Sequence, residues 1–220
     1  MNNKVVIFCG GLATRFNNGK PGPLKPLLKI NNKPIIEYII ERYKNLKDPE
    51  FILLGGHRFK ELKKFQEKIS KKYNIISLDT GKYTNTGGRL LKIKDYIKND
   101  FFYLTYGDTI TDYKPNLSKK NNNSQICLYR YKVPYGVIEK SVIVKKMYEK
   151  NFFVNVNAGH YYLNPKILKY IKNYSQSLEK DILPKIIKNN KIKFNYQFLK
   201  KWIPIDNQSD LQKAKNIING

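Results

Sequence analysis

The chain has 220 residues, 41% of them hydrophobic, which fits one domain with a buried core and excludes a disordered segment. No apolar run approaches the roughly 18–20 residues of a membrane span, and residues 1–4 lead straight into a strand-like run, so neither a signal peptide nor a membrane partner is expected and the reading is cytoplasmic. Lysine and arginine number 42 against 17 acids, a formal charge of +25, which raises nucleic acid as a partner. A nucleic-acid-binding module would concentrate its lysines on one face with aromatics interleaved. Here they are spread over nearly every segment beside abundant asparagine and 17 tyrosines, the pattern of AT-rich codon usage.

In chain order, residues 4–9 (KVVIFC) read as a buried strand, followed by a loop rich in glycine, asparagine and proline over residues 10–23. Pro34 opens a helix with Ile35, Ile36, Ile39, Ile40 and Tyr43 on one face. A strand over residues 51–54, a lysine-rich amphipathic helix over 59–73 and a strand over 74–78 follow. Gly87 and Gly88 introduce a helix to about residue 97, and residues 101–106 form the next strand. This alternation implies a mostly parallel sheet with helices on both faces. Residues 125–131 and 136–144 read as strands joined by a Pro-Tyr-Gly turn, and the asparagine run at 121–123 as a loop. Residues 157–163 form another strand, and helices are expected over 166–171, 178–188 and 209–218. Cys9 and Cys127 each sit in an apolar run and read as buried, reduced thiols. His57 and His160 have no partners at zinc spacing.

Chemistry gathers at the ends of the strands. After the first come Gly10-Gly11-Leu12-Ala13-Thr14-Arg15, where glycine lets backbone N–H groups approach an anion and Arg15 offers a fork suited to phosphate. Lys25, inside Leu24-Lys25-Pro26-Leu27, can act as a held point charge. No Gly-Lys-Ser/Thr opens the helix, so this is not a Walker loop. Tyr106-Gly107-Asp108 places a carboxylate at the carboxyl end of a parallel strand, where α/β folds bind ligands. Asp206 reads as a second carboxylate or as a helix cap, with Ser209 and Asp210 as competing caps. The hydroxyls of Thr84 and Thr86 can pair with a base edge, and Gly87 and Gly88 would let a base lie flat.

The run from Val5 to Tyr38 resembles the sugar-1-phosphate nucleotidyltransferase family, whose signature is a strand, Gly-Gly-x-Gly-Thr-Arg, a loop and Pro-Lys-Pro. Ala13 stands where that family has glycine, and Leu24 where it has proline. Asp79-Thr80-Gly81 and Asn85-Thr86-Gly87-Gly88-Arg89-Leu90 are similar to the glucose-1-phosphate cytidylyltransferase branch. The resemblance implies one Rossmann-like α/β domain over residues 1–220, with a mixed, mainly parallel sheet and a small β-rich region covering the acceptor. It implies transfer of CMP from CTP to a sugar 1-phosphate or another phosphorylated acceptor, such as glutamine phosphate, for capsule or surface polysaccharide synthesis. Gly10, Gly11, Leu12, Ala13, Thr14, Arg15, Lys25 and Gly107 would hold the nucleotide, with Thr84, Thr86, Gly87, Gly88 and Arg89 beside the base. Arg15, Lys25 and Asp108 would be catalytic, and Asp108 and Asp206 would bind magnesium. Tyr135, Gly136, Glu149, Lys150, Asn157 and Gly159 would meet the acceptor, where Asn151, Ala158 and His160 depart from the family. A homo-oligomer is compatible with this. The alternatives are a guanylyltransferase acting on a heptose or hexose 1-phosphate, a branch that usually has alanine at the place of Arg89, an inactive regulatory relative, and the basic nucleic-acid-binding module.

Overall fold

The computed structural model describes residues 3–115, 123–141 and 143–219; the first two asparagines of the 121–123 run lie outside them. The strands are β1 (Lys4–Phe8), β2 (Lys29–Ile30), β3 (Lys33–Pro34), β4 (Glu50–Gly55), β5 (Ile75–Asp79), β6 (Phe102–Tyr106), β7 (Thr109–Thr111), β8 (Ser124–Lys132), β9 (Val137–Lys140), β10 (Val144–Tyr148), β11 (Phe153–Leu163), β12 (Phe194–Leu199) and β13 (Trp202–Pro204). The α-helices are α1 (Ile35–Glu41), α2 (Phe59–Ile69), α3 (Thr86–Lys92), α4 (Lys94–Ile97), α5 (Leu183–Lys188) and α6 (Gln208–Asn219).

Seven strands make one sheet in the order β12-β8-β11-β6-β1-β4-β5. The β1–β4, β1–β6, β4–β5 and β12–β8 pairings are parallel, and β11 runs antiparallel to both β6 and β8. The mixed, mainly parallel α/β sheet expected from the sequence is therefore the one observed. Alternation along β1 explains why its apolar run is unbroken: Val5 and Ile7 enter one hydrophobic cluster, Val6 and Phe8 the other, and both faces are covered. The first cluster takes the isoleucines of α1, Leu62 and Ile69 of α2, and Ala214 of α6. The second takes Leu90, Ile93 and Ile97 with Leu178, Ile182, Leu183 and Ile186.

Several elements differ from the sequence reading. Residues 136–144 are not one strand paired back to 125–131; β9 and β10 form their own hairpin, and β8 lies between β11 and β12. The helix read over 87–97 breaks at Ile93 (φ −111°, ψ 13°) into α3 and α4. The helix over 178–188 begins as a π turn, Leu178–Ile182, with Pro184 then near the start of α5, and 165–170 is a 3-10 turn. β7, β12 and β13 carry no expectation from sequence. Both cysteines are buried and reduced, and no helix among the described residues is long and apolar enough to cross a membrane.

His160, fully buried on β11, is a core residue. Its Nδ1 lies 3.1 Å from the Tyr43 hydroxyl, its Nε2 2.9 Å from Thr111 Oγ1, and its ring stacks on Tyr113 at 4.6 Å. Burial, helped by nearby Arg42, lowers its pKa from 6.5 to about 3. Between those values the unfolded chain binds the proton and the fold does not, so stability is full above pH 6.5 and falls as pH drops toward 3. His160→Gln should therefore flatten the unfolding free energy against pH between about pH 4 and 6, by up to about 1.4 kcal/mol per pH unit. Equal slopes in denaturant titrations of the two proteins would contradict this.

Candidate active site

At the carboxyl ends of β1 and β6, Lys25 stands between two carboxylates. Its Nζ lies 3.1 Å from Asp108 Oδ2 and 3.1 Å from Asp206 Oδ1, and Arg15 Nη1 lies 2.7 Å from Asp206 Oδ2. The antiparallel β7–β13 ladder brings the aspartates together: Thr109 pairs with Pro204, and the Ile205 N–H donates to the Asp108 carbonyl at 2.9 Å. Asp206 is not a helix cap. Asn207 Oδ1 accepts from the Asp210 N–H at 3.0 Å, and Asp210 in turn accepts from the Asp206 and Asn207 amides. That leaves the Asp206 carboxylate to the two cations. Lys25 is only 8% exposed, and it is held from both sides. Leu24, where the family has proline, is buried in the core, and Pro26 packs so closely on Gly107 that a Cβ there would lie 2.7 Å from its ring.

A cavity of about 330 Å³ opens beside this cluster, lined by Phe8, Cys9, Gly11, Leu12, Ala13, Thr14, Arg15, Lys25, Pro26, Tyr106 and Asp108. A Cβ on Gly11 would meet nothing within 4 Å, so its backbone is open to close approach by a ligand. Ala13 adopts a left-handed conformation (φ 52°, ψ 36°), which costs an L-residue roughly 1–2 kcal/mol and accounts physically for glycine in the related signature. The loop is tied down elsewhere: Gly22 N–H donates to Leu12 O at 2.9 Å, and His57 Nε2 lies 2.8 Å from Gly22 O. The Arg15 side chain is 75% exposed and can turn toward an anion. Burial, reinforced by Asp108, pushes the Cys9 thiol well up, so it is neutral wall and not a nucleophile.

Arg89, expected beside the base, is buried beneath the first loop. It is 5% exposed, and its guanidinium donates to Gly55 O at 2.5 Å, to Gly10 O at 3.0 Å and to Thr80 Oγ1. It therefore joins the ends of β1, β4 and β5 under the loop, and its desolvation lowers its pKa. Thr86 is likewise engaged: its hydroxyl accepts from Leu178 N–H and donates to Glu179 Oε2, both at 2.8 Å. Gly87 and Gly88 are covered by the 174–178 segment, where Cβ atoms would lie 2.7 Å from Gln176 O and 2.2 Å from Tyr174 O. These glycines serve close packing of backbone and do not offer a flat surface to a base. Thr84 alone of this group stands in the open part of the loop, half-buried beside Gly81.

The expected acceptor residues divide. Asn157 and Gly159 sit on β11, where Asn157 Nδ2 donates to Tyr161 Oη at 2.5 Å and Asn157 Oδ1 accepts from Gly159 N–H at 3.0 Å. Tyr135, Gly136, Glu149 and Lys150 belong to the β9–β10 hairpin region. Tyr135 is 75% exposed, and Glu149 and Lys150 are exposed and paired to each other at 3.7 Å. None of the six lines the 330 Å³ cavity. Two residues of the site carried no sequence expectation. Tyr106 packs its ring against Gly159 and donates its hydroxyl to Glu179, which also accepts from Ser177 Oγ at 3.0 Å. Burial keeps the Tyr106 phenol protonated. Its place as the last residue before Gly107-Asp108 was the available signal; Glu179 offered only a capping pattern around Ser177.

Asp108 and Asp206 present oxygen donors that already converge on one cationic centre. Two carboxylates of this kind fit magnesium, which completes its octahedral shell with substrate phosphates and water. No group of three or more His, Cys, Asp or Glu side chains suited to a metal occurs among the described residues, so a larger all-protein cage is not formed there.

Comparison with known proteins agrees with this geometry. The Nucleotidyl transferase family model matches residues 4–219. The chain is 27% identical to the "Probable glucose-1-phosphate cytidylyltransferase" of Bacillus subtilis (strain 168), over 98% of this chain and 96% of that one. It is 31% identical to the D-glycero-alpha-D-manno-heptose 1-phosphate guanylyltransferase of Campylobacter jejuni, over 74% of this chain and 77% of that one. Among solved structures, HddC from Yersinia pseudotuberculosis superposes with a TM-score of 0.75 at 23% identity, covering 98% of this chain and 99% of that one. The chain thus belongs to the nucleotidyl transferase family.

Proposed function

We propose that the chain is a cytidylyltransferase, moving CMP from CTP to a sugar 1-phosphate or another phosphorylated acceptor, including a phosphorylated amide, with release of pyrophosphate. The observation that carries this reading is the Lys25–Asp108–Asp206–Arg15 cluster beside an open glycine loop at the carboxyl edge of a parallel sheet. An acceptor phosphate oxygen attacks the α-phosphorus, and the bond to pyrophosphate breaks. The acceptor is already a competent nucleophile, so the protein's work is positioning and charge neutralisation. Lys25 draws two anionic phosphates together, and Arg15 meets the departing pyrophosphate. Backbone N–H groups of the Gly10–Arg15 loop orient the triphosphate. Asp108 and Asp206 would hold magnesium, whose charge would offset that of the α-phosphate.

The cytidylyl relative supports CTP because its similarity spans 98% of the chain. A second reading, guanylyl transfer to a heptose or hexose 1-phosphate, is favoured by the higher identity of the Campylobacter relative, and Arg89, where that branch usually has alanine, does not weigh against it. The donors of that guanidinium already serve Gly10, Gly55 and Thr80, so its presence does not select a base by direct contact.

Pyrophosphate release should be measured with four nucleoside triphosphates against a panel of phosphorylated acceptors. CTP should exceed UTP by about ten- to a hundredfold in kcat/KM, the effect of one mismatched buried polar group; GTP as the best donor would replace this reading with the second. Lys25→Ala should lower kcat by about a hundredfold or more with an unchanged circular dichroism spectrum. Near-normal turnover would take the lysine out of the mechanism. Asp108→Asn should lose most activity, and EDTA should silence the wild type, because an amide weakens a hard-cation site without changing its shape. Full activity in excess chelator would remove magnesium from Asp108 and Asp206 together.

A further inference from the structure

A second cleft, of about 790 Å³, lies at the opposite end of the sheet from the catalytic edge. It is formed where α4 leads into β6 and where β11 ends, so the five-residue length of β6, ~17 Å of extended chain, separates it from Asp108. Lys94 and Lys98 project from one side, Lys166 and Lys169 from the other, over a floor that includes Phe101 and Leu168. The floor is held in place, because Phe101 stacks on Tyr162 at 5.0 Å and 26°. Asp95 is the one acid on the wall, while neighbouring Asp100 is drawn to Lys4 at 3.7 Å. Among the described residues, none of the four lysines is in an ion pair.

Four unneutralised ammonium groups around one concavity raise the local concentration of anions. The volume falls in the range of small-molecule sites, and the aromatic and aliphatic floor gives an organic group something to cover. We propose that this cleft binds a phosphorylated small molecule carrying an apolar or aromatic part, of the class of nucleoside polyphosphates, at a site separate from the catalytic edge. The phosphates lie among the four lysines and the organic part lies over Phe101 and Leu168.

Equilibrium binding to the full chain tests this without reference to turnover, with CTP and inorganic tripolyphosphate as probes. CTP should show two classes of site, one at the proposed catalytic edge and one in the cleft. Lys94→Glu combined with Lys169→Glu should weaken one class by about tenfold or more. The control pair Lys64→Glu and Lys68→Glu, exposed on α2 and equal in charge change, should move that class by less than about twofold, since distant charges are screened. Arg15→Ala should leave the cleft class at full strength. A single class of site, equal weakening by the two lysine pairs, or loss of both classes with Arg15→Ala would overturn the separate site. Tripolyphosphate should bind the cleft more weakly than CTP; equal affinity would overturn the assignment to nucleoside polyphosphates.

Discussion

The carboxyl edge of the sheet depends on one ammonium group that faces two carboxylates at once. Lys25 cannot neutralise Asp108 and Asp206 alone, and Arg15 supplies the second positive charge, so two cations balance two anions in one cluster. With the lysine nearly buried, these attractions are screened less than surface pairs. The same contacts join distant parts of the chain: both cations come from the first loop, one anion from the end of β6, the other from just before the last helix. Charge balance at the site and closure of the fold are one set of contacts.

Beneath that cluster, a third cation does purely internal work. Among the described residues Arg89 makes no ion pair; carbonyls and a hydroxyl accept its donors, and its burial is tolerated because those acceptors replace water. Glu179 performs the opposite role nearby, a carboxylate that collects hydroxyls from β6, α3 and the π turn. Both side chains fix the positions of strand ends and helix starts, on which the cavity walls are built. Rigid support of this kind suits a reaction that rests on placing two phosphates in line.

Much of this was legible in the sequence where burial on both faces leaves a continuous apolar run, as in β1, β4 and β6, or where isoleucines repeat at helical spacing, as in α1. The first loop was legible as a loop because glycine, asparagine and proline gather there. The β9–β10 hairpin was not, since Ile138 and Met147 are more than half exposed and their alternation therefore marked no core face. β12 was missed because its pairing with β8 is remote in sequence and its Tyr196 and Phe198 point outward. The burial of Arg89 was not legible for a different reason: arginine at a helix start is ordinarily solvated, and no local pattern announces three acceptors arriving from three strands. Asp206 was ambiguous until the β7–β13 ladder set it opposite Asp108.

The absence of a side chain at Gly10 is what makes room for Arg89. A Cβ there would stand 2.2 Å from the arginine's Nη1 and 2.4 Å from its Cζ. The two positions are consequently epistatic. Any residue larger than glycine at position 10 evicts the guanidinium, and loss of the guanidinium leaves a void and takes its donor from the Gly10 carbonyl, while Gly55 O keeps the Thr80 N–H at 3.1 Å. Sequence drift can pass through neither change alone without cost. A relative with a small residue in place of the arginine must then fill the space beneath its first loop by other means, and its nucleotide preference can shift as a by-product of repacking.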